Sequence, residues 1–425
     1  MVVCTKWSWT VLVVGLFAGR CLAQEAAVPA VAPGFGPALP LIVPGVSQTD
    51  FGLDLNETYS SNVTGGSAEF AARRHLTPAD FLTNPYGSLA IARPLGVYTV
   101  YLSGEIGYID YAKNPILSRS NIQLQTGGNA QFGSCQTSVT GGYRRGTVDL
   151  ADVALAETTG ALAAGKDVVQ DAALAFTASC GQAVGLAPTV SAAAIVIHNG
   201  FGGLAVENVN EFTSSGGLAY RSASAGILSA VAEYNRVDYP GRSVVTLSGT
   251  LPERTETLGG GLTYSTSKYS RLQGSASLIY VEFQPYSSES AGYHGITYDV
   301  TANYVIGSAI TASASAGRQV TPSNNPTALF DLLQTYDLSL VYTLGATTTL
   351  GLDLTRFDYH YEGLVVPQMI TATRETRDKV IVTAGRALGR RLKVELSVGY
   401  QRQDANFPGL SYPQATVALA VTSKF

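Results

Sequence analysis

From about Phe51 to the last residue, apolar and polar side chains trade places at almost every step, and this period of two restricts the possible folds more than any other feature. In YDVTANYVI, Tyr298, Val300, Ala302, Tyr304 and Ile306 fall on one side of an extended chain, with Asp299, Thr301 and Asn303 on the other. YDLSLVYTL repeats the scheme, setting Tyr336, Leu338, Leu340, Tyr342 and Leu344 against Asp337, Ser339 and Thr343. RLKVELSVGY does so again, with Leu392, Val394, Leu396, Val398 and Tyr400 against Lys393, Glu395 and Ser397. A soluble sandwich hides its apolar faces in one shared core and rarely sustains so many long, two-faced strands. The pattern also reaches the chain end: in ATVALAVTSKF, Val417, Leu419, Val421 and Phe425 share one side, and Thr416, Ala418, Ala420, Thr422 and Lys424 the other. Ends of ordinary domains fray, so a period kept to the final residue implies a strand paired along its whole length. A soluble edge strand would alternate in the same way over this one segment. A closed barrel pairs the last strand with the first and leaves no edge.

The links between alternating segments are short and long by turns, the second mark of a barrel that crosses a membrane with strands. Short turns are readable at RPLG (Arg93 to Gly96), around Cys135, around Cys180 to Gly185, at YRSAS, near Ser267, and at IGSA, LGAT and ALGRR. Long polar or Pro/Gly-rich links fall between them, among them TGGSAEFAARRHLTPAD, the stretch from Asp149 to Asp171, DYPGRSVVTLSGTLPERTE and EGLVVPQMITATRETRD. Strands counted on either side of these number about 18, with 16 the nearest alternative; an even count puts both termini on one side. Composition agrees with a wall between lipid and water. Charged residues are 14% of the chain, against about 25% in typical soluble proteins. The 45 glycines and 23 tyrosines suit barrel corners and headgroup-level girdles. A net charge of -4 argues for no nucleic-acid partner.

At the other end, residues 1–23 read as a signal peptide. Lys6 precedes an apolar stretch from about Trp9 to Ala18, and Cys21-Leu22-Ala23 before Gln24 is a small-x-small cleavage pattern, so Ala23 and Gln24 flank the expected cut. The apolar core is too short for a membrane-spanning helix, which needs roughly 20 residues. Residues 24–50 are rich in Ala and Pro and read as a periplasmic linker, and residues 51–425 as an all-β, antiparallel, up-and-down barrel of the bacterial outer membrane with periplasmic termini. Cleavage removes Cys4 and Cys21. Cys135 then opens an outgoing strand and Cys180 closes its returning neighbour, so the two are expected to face each other and form a disulfide in an oxidising compartment. The link between them, from Asp149 to Asp171, is rich in helix formers; it reads either as an outer loop or as a segment folded into the lumen.

The opening segment FGLDLNETYSSNVT, following a Pro-rich leader, resembles the start of the beta-barrel porin family of the second type, outer-membrane proteins that often accompany surface-polysaccharide export systems. The resemblance implies possible export partners in the periplasm. The terminal Phe425 with apolar residues at every second position before it resembles the C-terminal signal that the barrel-assembly machinery reads.

Motifs for chemistry are absent from the sequence. His75, His198, His294 and His360 have no metal-ligand spacing, and no nucleophile elbow, Cys-x-x-Cys or phosphate loop occurs, so no cofactor is expected. Asp358 and His360 form a lone Asp-x-His near an outer strand end. Their context of Phe357, Tyr359 and Tyr361 reads as an interfacial aromatic girdle, and an outer-membrane enzyme is the least favoured reading. Glu105, Asp299, Asn303, Asp337, Asp353, Lys393 and Glu395, together with Arg318, read as a solvated lumen wall with few inward aromatics. The function expected from these features is passive passage of small hydrophilic solutes. A conduit or scaffold in surface-polysaccharide export is the alternative.

Overall fold

The computed structural model describes residues 47–147, 168–182, 184–200, 208–246, 249–267, 271–285, 292–307, 309–323, 328–363, 372–407 and 409–425. The leader, residues 24–46 of the linker and nearly all of the link from Asp149 to Asp171 lie outside these. The described chain forms eighteen strands in one sheet. They are β1 (Gln48–Ser60), β2 (Asp80–Leu95), β3 (Tyr98–Tyr111), β4 (Arg119–Phe132), β5 (Cys135–Thr147) and β6 (Val168–Cys180). Next come β7 (Gly185–Asn199), β8 (Val209–Ser222), β9 (Gly226–Thr246), β10 (Gly249–Ser265), β11 (Leu272–Pro285) and β12 (Tyr293–Ile306). The last six are β13 (Ile310–Pro322), β14 (Phe330–Leu344), β15 (Thr348–Glu362), β16 (Arg374–Ala387), β17 (Leu392–Ala405) and β18 (Tyr412–Lys424). Each pairs antiparallel with its sequence neighbours, and β18 returns to β1 from Gly52↔Lys424 to Ser60↔Thr416, which closes the barrel.

Following the paired registers once round the wall returns to β1 about 22 residues further along. With standard strand spacing that stagger sets a tilt of about 40° and a backbone cylinder about 36 Å across.

All eight short turns join strands at one rim, which also holds both ends of the described chain: Gln48 pairs with Ala92, and the Phe425 amide donates to the Phe51 carbonyl at 2.9 Å. Two of these turns are two-residue loops whose first residue is a glycine with positive φ, Gly96 at 67° and Gly133 at 58°, a backbone that residues with a Cβ rarely adopt.

The opposite rim carries the long links, with one difference from the sequence expectation. The stretch DYPGRSVVTLSGTLPERTE is a hairpin rather than an irregular link: β9 and β10 run on to Thr246 and Gly249, with a register shift between Pro252 and Glu253. Val244, Val245 and Thr246 are strand formers, and the two prolines fall where pairing is interrupted. In the link between β1 and β2 lies a short helix, α1 (Ala68–Arg73), capped by Ser67, whose side chain accepts the Phe70 amide.

The outward face is apolar and ends in two aromatic rings. Toward the short-turn rim stand Phe51, Tyr98, Phe132, Tyr220, Tyr264, Tyr304, Tyr342 and Phe425, and toward the other rim Tyr59, Phe81, Tyr108, Phe212, Tyr280, Tyr336 and Tyr400, all exposed. From Phe51 to Tyr59 the tilted strand climbs about 20 Å, near the height of an outer-membrane apolar band. Between the rings Glu57 carries an outward charge, and Thr83 Oγ1 donates to it at 2.8 Å. Beyond the outer ring, outward charges pair: Arg236 and Arg254 with Asp238 at 3.0 and 2.6 Å, and Arg402 with Asp404 at 2.8 Å.

Candidate functional site

The inward face is the candidate site, because it is polar where the outward face is apolar. Glu105 on β3, Asp299 and Asn303 on β12, Asp337 on β14, Asp353 on β15, and Lys393 and Glu395 on β17 all occupy the face opposite the exposed apolar residues of their strands. Lys393 Nζ donates to Glu395 Oε2 at 2.5 Å, and Ser315 Oγ to Asp337 Oδ2 at 3.0 Å. Glu211 on β8 and Glu233 on β9, which the sequence reading passed over, share this face. Arg144 on β5 pairs with Asp171 on β6 at 2.5 Å, which places the last residue of the link from Asp149 in the wall.

Three expectations reverse on this register. Arg318 faces outward on β13, in line with Ala312, Ala314 and Ala316 and paired with the outward Tyr298. Asp358 and His360 also face outward, in phase with Leu350, Leu352 and Leu354. Asp358 accepts hydrogen bonds from Arg374 Nη2 at 2.9 Å and Arg374 Nε at 3.2 Å, and His360 Nε2 lies 3.5 Å away, so the pair is part of an exterior charge group. Phe357, Tyr359 and Tyr361 are therefore on the inward face, not in a girdle. Their rings form a ladder with centroids 6.3 Å apart at both steps and interplanar angles of 29° and 13°. Tyr86, Tyr101, Tyr111 and Tyr412 also face inward, so inward aromatics are not few.

Two devices narrow the lumen at the long-link mouth. Phe70 of α1 packs with Tyr361 of β15 and Leu410 of the link between β17 and β18, with Tyr359 and Phe407 against the same cluster. On the other side the β9–β10 hairpin reaches the link between β13 and β14. Tyr239, wholly buried, donates from its hydroxyl to the Leu329 carbonyl at 3.3 Å, and Arg242 donates to the carbonyls of Ala328 and Ser323 at 2.8 and 3.0 Å. The Arg242 guanidinium also lies 4.6 Å above the Tyr239 ring. These contacts join β9 to the link that follows β13, four strands away, across the barrel mouth.

At the short-turn rim Cys135 and Cys180 stand opposite each other in register on the outward face and are joined by a disulfide. Val417, Leu419 and Val421 line the same outward face of β18, with Phe425 exposed beyond them and its ring centroid 6.1 Å from that of Phe51.

No family model matches this chain, and no curated protein matches it either. Solved structures with a similar course include Pseudomonas aeruginosa OpdK with vanillate, at 8% identity and TM-score 0.44, covering 89% of this chain and 99% of that one. Pseudomonas aeruginosa OccK2 (OpdF) in complex with glucuronate is 9% identical with TM-score 0.46, covering 89% and 98%. The siderophore receptor PirA from Pseudomonas aeruginosa is 12% identical with TM-score 0.42, covering 89% and 80%. The barrel described above rests on the chain's own strand register.

Proposed function

We propose that the chain is an integral outer-membrane barrel acting as a passive channel for small hydrophilic solutes. The observation that carries this reading is the closed eighteen-strand wall, with an apolar belt between two aromatic rings outside and acids, amides and hydroxyls inside. A cylinder about 36 Å across leaves water inside even after side chains take several ångströms from each wall. In this reading the short-turn rim, with both termini, faces the periplasm, the barrel-assembly machinery reads the end at Phe425, and the surrounding partner is outer-membrane lipid. Membership of the beta-barrel porin family of the second type remains part of this proposal, supported by the FGLDLNETYSSNVT segment. The export-conduit reading gains one observation, the inward aromatic ladder on β15. Insertion of purified protein into planar lipid bilayers tests the channel: stepwise current increments are expected, and a folded barrel that inserts without conducting contradicts it.

A further inference from the structure

The register sets four inward residues side by side across β15 to β18: Phe357 pairs with Arg377, Arg377 with Gln403, and Gln403 with Tyr412. Gln403 is only 1% exposed, yet neither its Nε2 nor its Oε1 has a hydrogen-bond partner among the described residues. Closing an amide away with both polar atoms unmet is costly, and native structures avoid it unless something else supplies the bonds. Beside it stand aromatic faces: Phe357 and Tyr359 are half-buried, Tyr361 is closed in against Phe70 of α1, and Tyr412 is buried. Arg377 lies 5.5 Å from the Tyr359 ring centre and bonds to Glu375, which also accepts the Tyr361 hydroxyl at 3.2 Å. One rung further into the barrel the paired row is Lys379, Gln401 and Gln414.

We propose that the inner wall of β15 to β18 beneath α1 is a saccharide-binding subsite, with Phe357 and Tyr359 stacking on pyranose rings and Gln403 and Arg377 hydrogen-bonding their hydroxyls. A pyranose ring offers an apolar C–H face, which suits the negative face of an aromatic ring. Its edge offers hydroxyls that donate and accept, which suits an amide with both functions open and a guanidinium–carboxylate pair in one patch. The 6.3 Å rung spacing lets successive sugar units meet successive rings. An aromatic anion would need a cation to itself, whereas Arg377 is engaged by Glu375. The subsite rests on the channel reading for the solute's route, but binding itself can be measured without conduction.

The test is calorimetric titration of the full-length, detergent-purified barrel with maltohexaose, cellotetraose and, as a control, 4-hydroxybenzoate. Binding of at least one oligosaccharide is expected. Tyr359→Ala and Gln403→Ala should each weaken it about fivefold, and Tyr359→Phe, which keeps the ring, should restore it, with heat-modifiability reporting that each variant is folded. Binding of neither sugar, of 4-hydroxybenzoate alone, or of sugar with undiminished affinity in both alanine variants overturns the subsite. A barrel that conducts but binds neither sugar loses the subsite and keeps the channel. One that binds sugar through these residues without conducting keeps the subsite and loses the channel.

Discussion

Asp80 is wholly buried at the start of β2, where its carboxylate accepts the backbone amides of Phe81 and Lys113 at 2.8 Å and of Asn114 at 2.9 Å, and the Asn114 side-chain amide at 2.7 Å. Asn114 in turn bonds Thr77 in both directions, so one carboxylate ties the first two long links together. Asp80→Ala removes the acceptor of all four N–H donors, two of them from buried Asn114, at a cost of about 1–3 kcal/mol for each donor that stays buried. The expected result is selective protease cleavage between 61 and 79 in an otherwise intact barrel; unchanged resistance would contradict it. Residue by residue, the phase of a strand is what the sequence holds, and the errors came from letting residue type overrule it. Leu350, Leu352 and Leu354 fix the outward parity of β15, and counting on by twos reaches Asp358 and His360, leaving the aromatics inside. Arg318 follows Ala312, Ala314 and Ala316 in the same way, but a face of alanines opposite serines gives too weak a contrast to phase by hydropathy. Gln403 could be placed on the inward face from sequence; its burial could not, since that depends on what α1 and the neighbouring links lay over it.

At the scale of elements, turn lengths were legible because each short turn is set by local residues such as Gly96 and Gly133, whereas the β9–β10 hairpin was not. Its two prolines spell a loop locally, and only the partner strand shows that pairing resumes beyond them. Arg242, from the unpaired step in that hairpin, holds the β13–β14 link across the mouth, so Arg242→Ala should free this clasp and raise single-channel current noise without altering the wall. Unchanged noise and conductance would mean the clasp does not bear on the lumen. The bridge between Cys135 and Cys180 spans 45 residues of sequence, worth roughly 4 kcal/mol in the chain-entropy model, less here because the wall already holds β5 against β6. Its loss in Cys135→Ala/Cys180→Ala should lower the unfolding midpoint while leaving heat-modifiability intact; an unmoved midpoint would show the wall alone suffices. For β18, deletion of Phe425 removes a bond to Phe51 and the ring packed on it at the closing seam. The deletion should reduce the amount of folded barrel in the outer membrane, and normal amounts would contradict that role.

For the whole molecule, closure and a count of about 18, with 16 the nearest alternative, follow from alternation and link lengths, since no other arrangement leaves so many two-faced strands without an edge. What fills the lumen does not, because the contacts of α1 and of the β9–β10 hairpin join residues far apart in sequence through open space. The inward charges give the interior a sign. Acids face it on β1, β3, β6, β8, β9, β12 and β14 to β17, and among the described strand residues they outnumber the inward cations Arg119, Arg144, Arg221, Arg377, Lys379, Lys393 and Lys424. A pore with this lining should prefer cations in a salt gradient, and an anion-selective reversal potential would contradict it. Both tryptophans, Trp7 and Trp9, lie in the proposed leader, so the purified protein should emit as tyrosine; indole emission would show the leader retained. The most direct measurement of the central claim is single-channel recording of the purified, heat-modifiable barrel in planar bilayers. Discrete, ohmic openings that pass hydrated ions are the predicted result, and a correctly folded, inserted barrel that stays silent at every voltage would contradict the account.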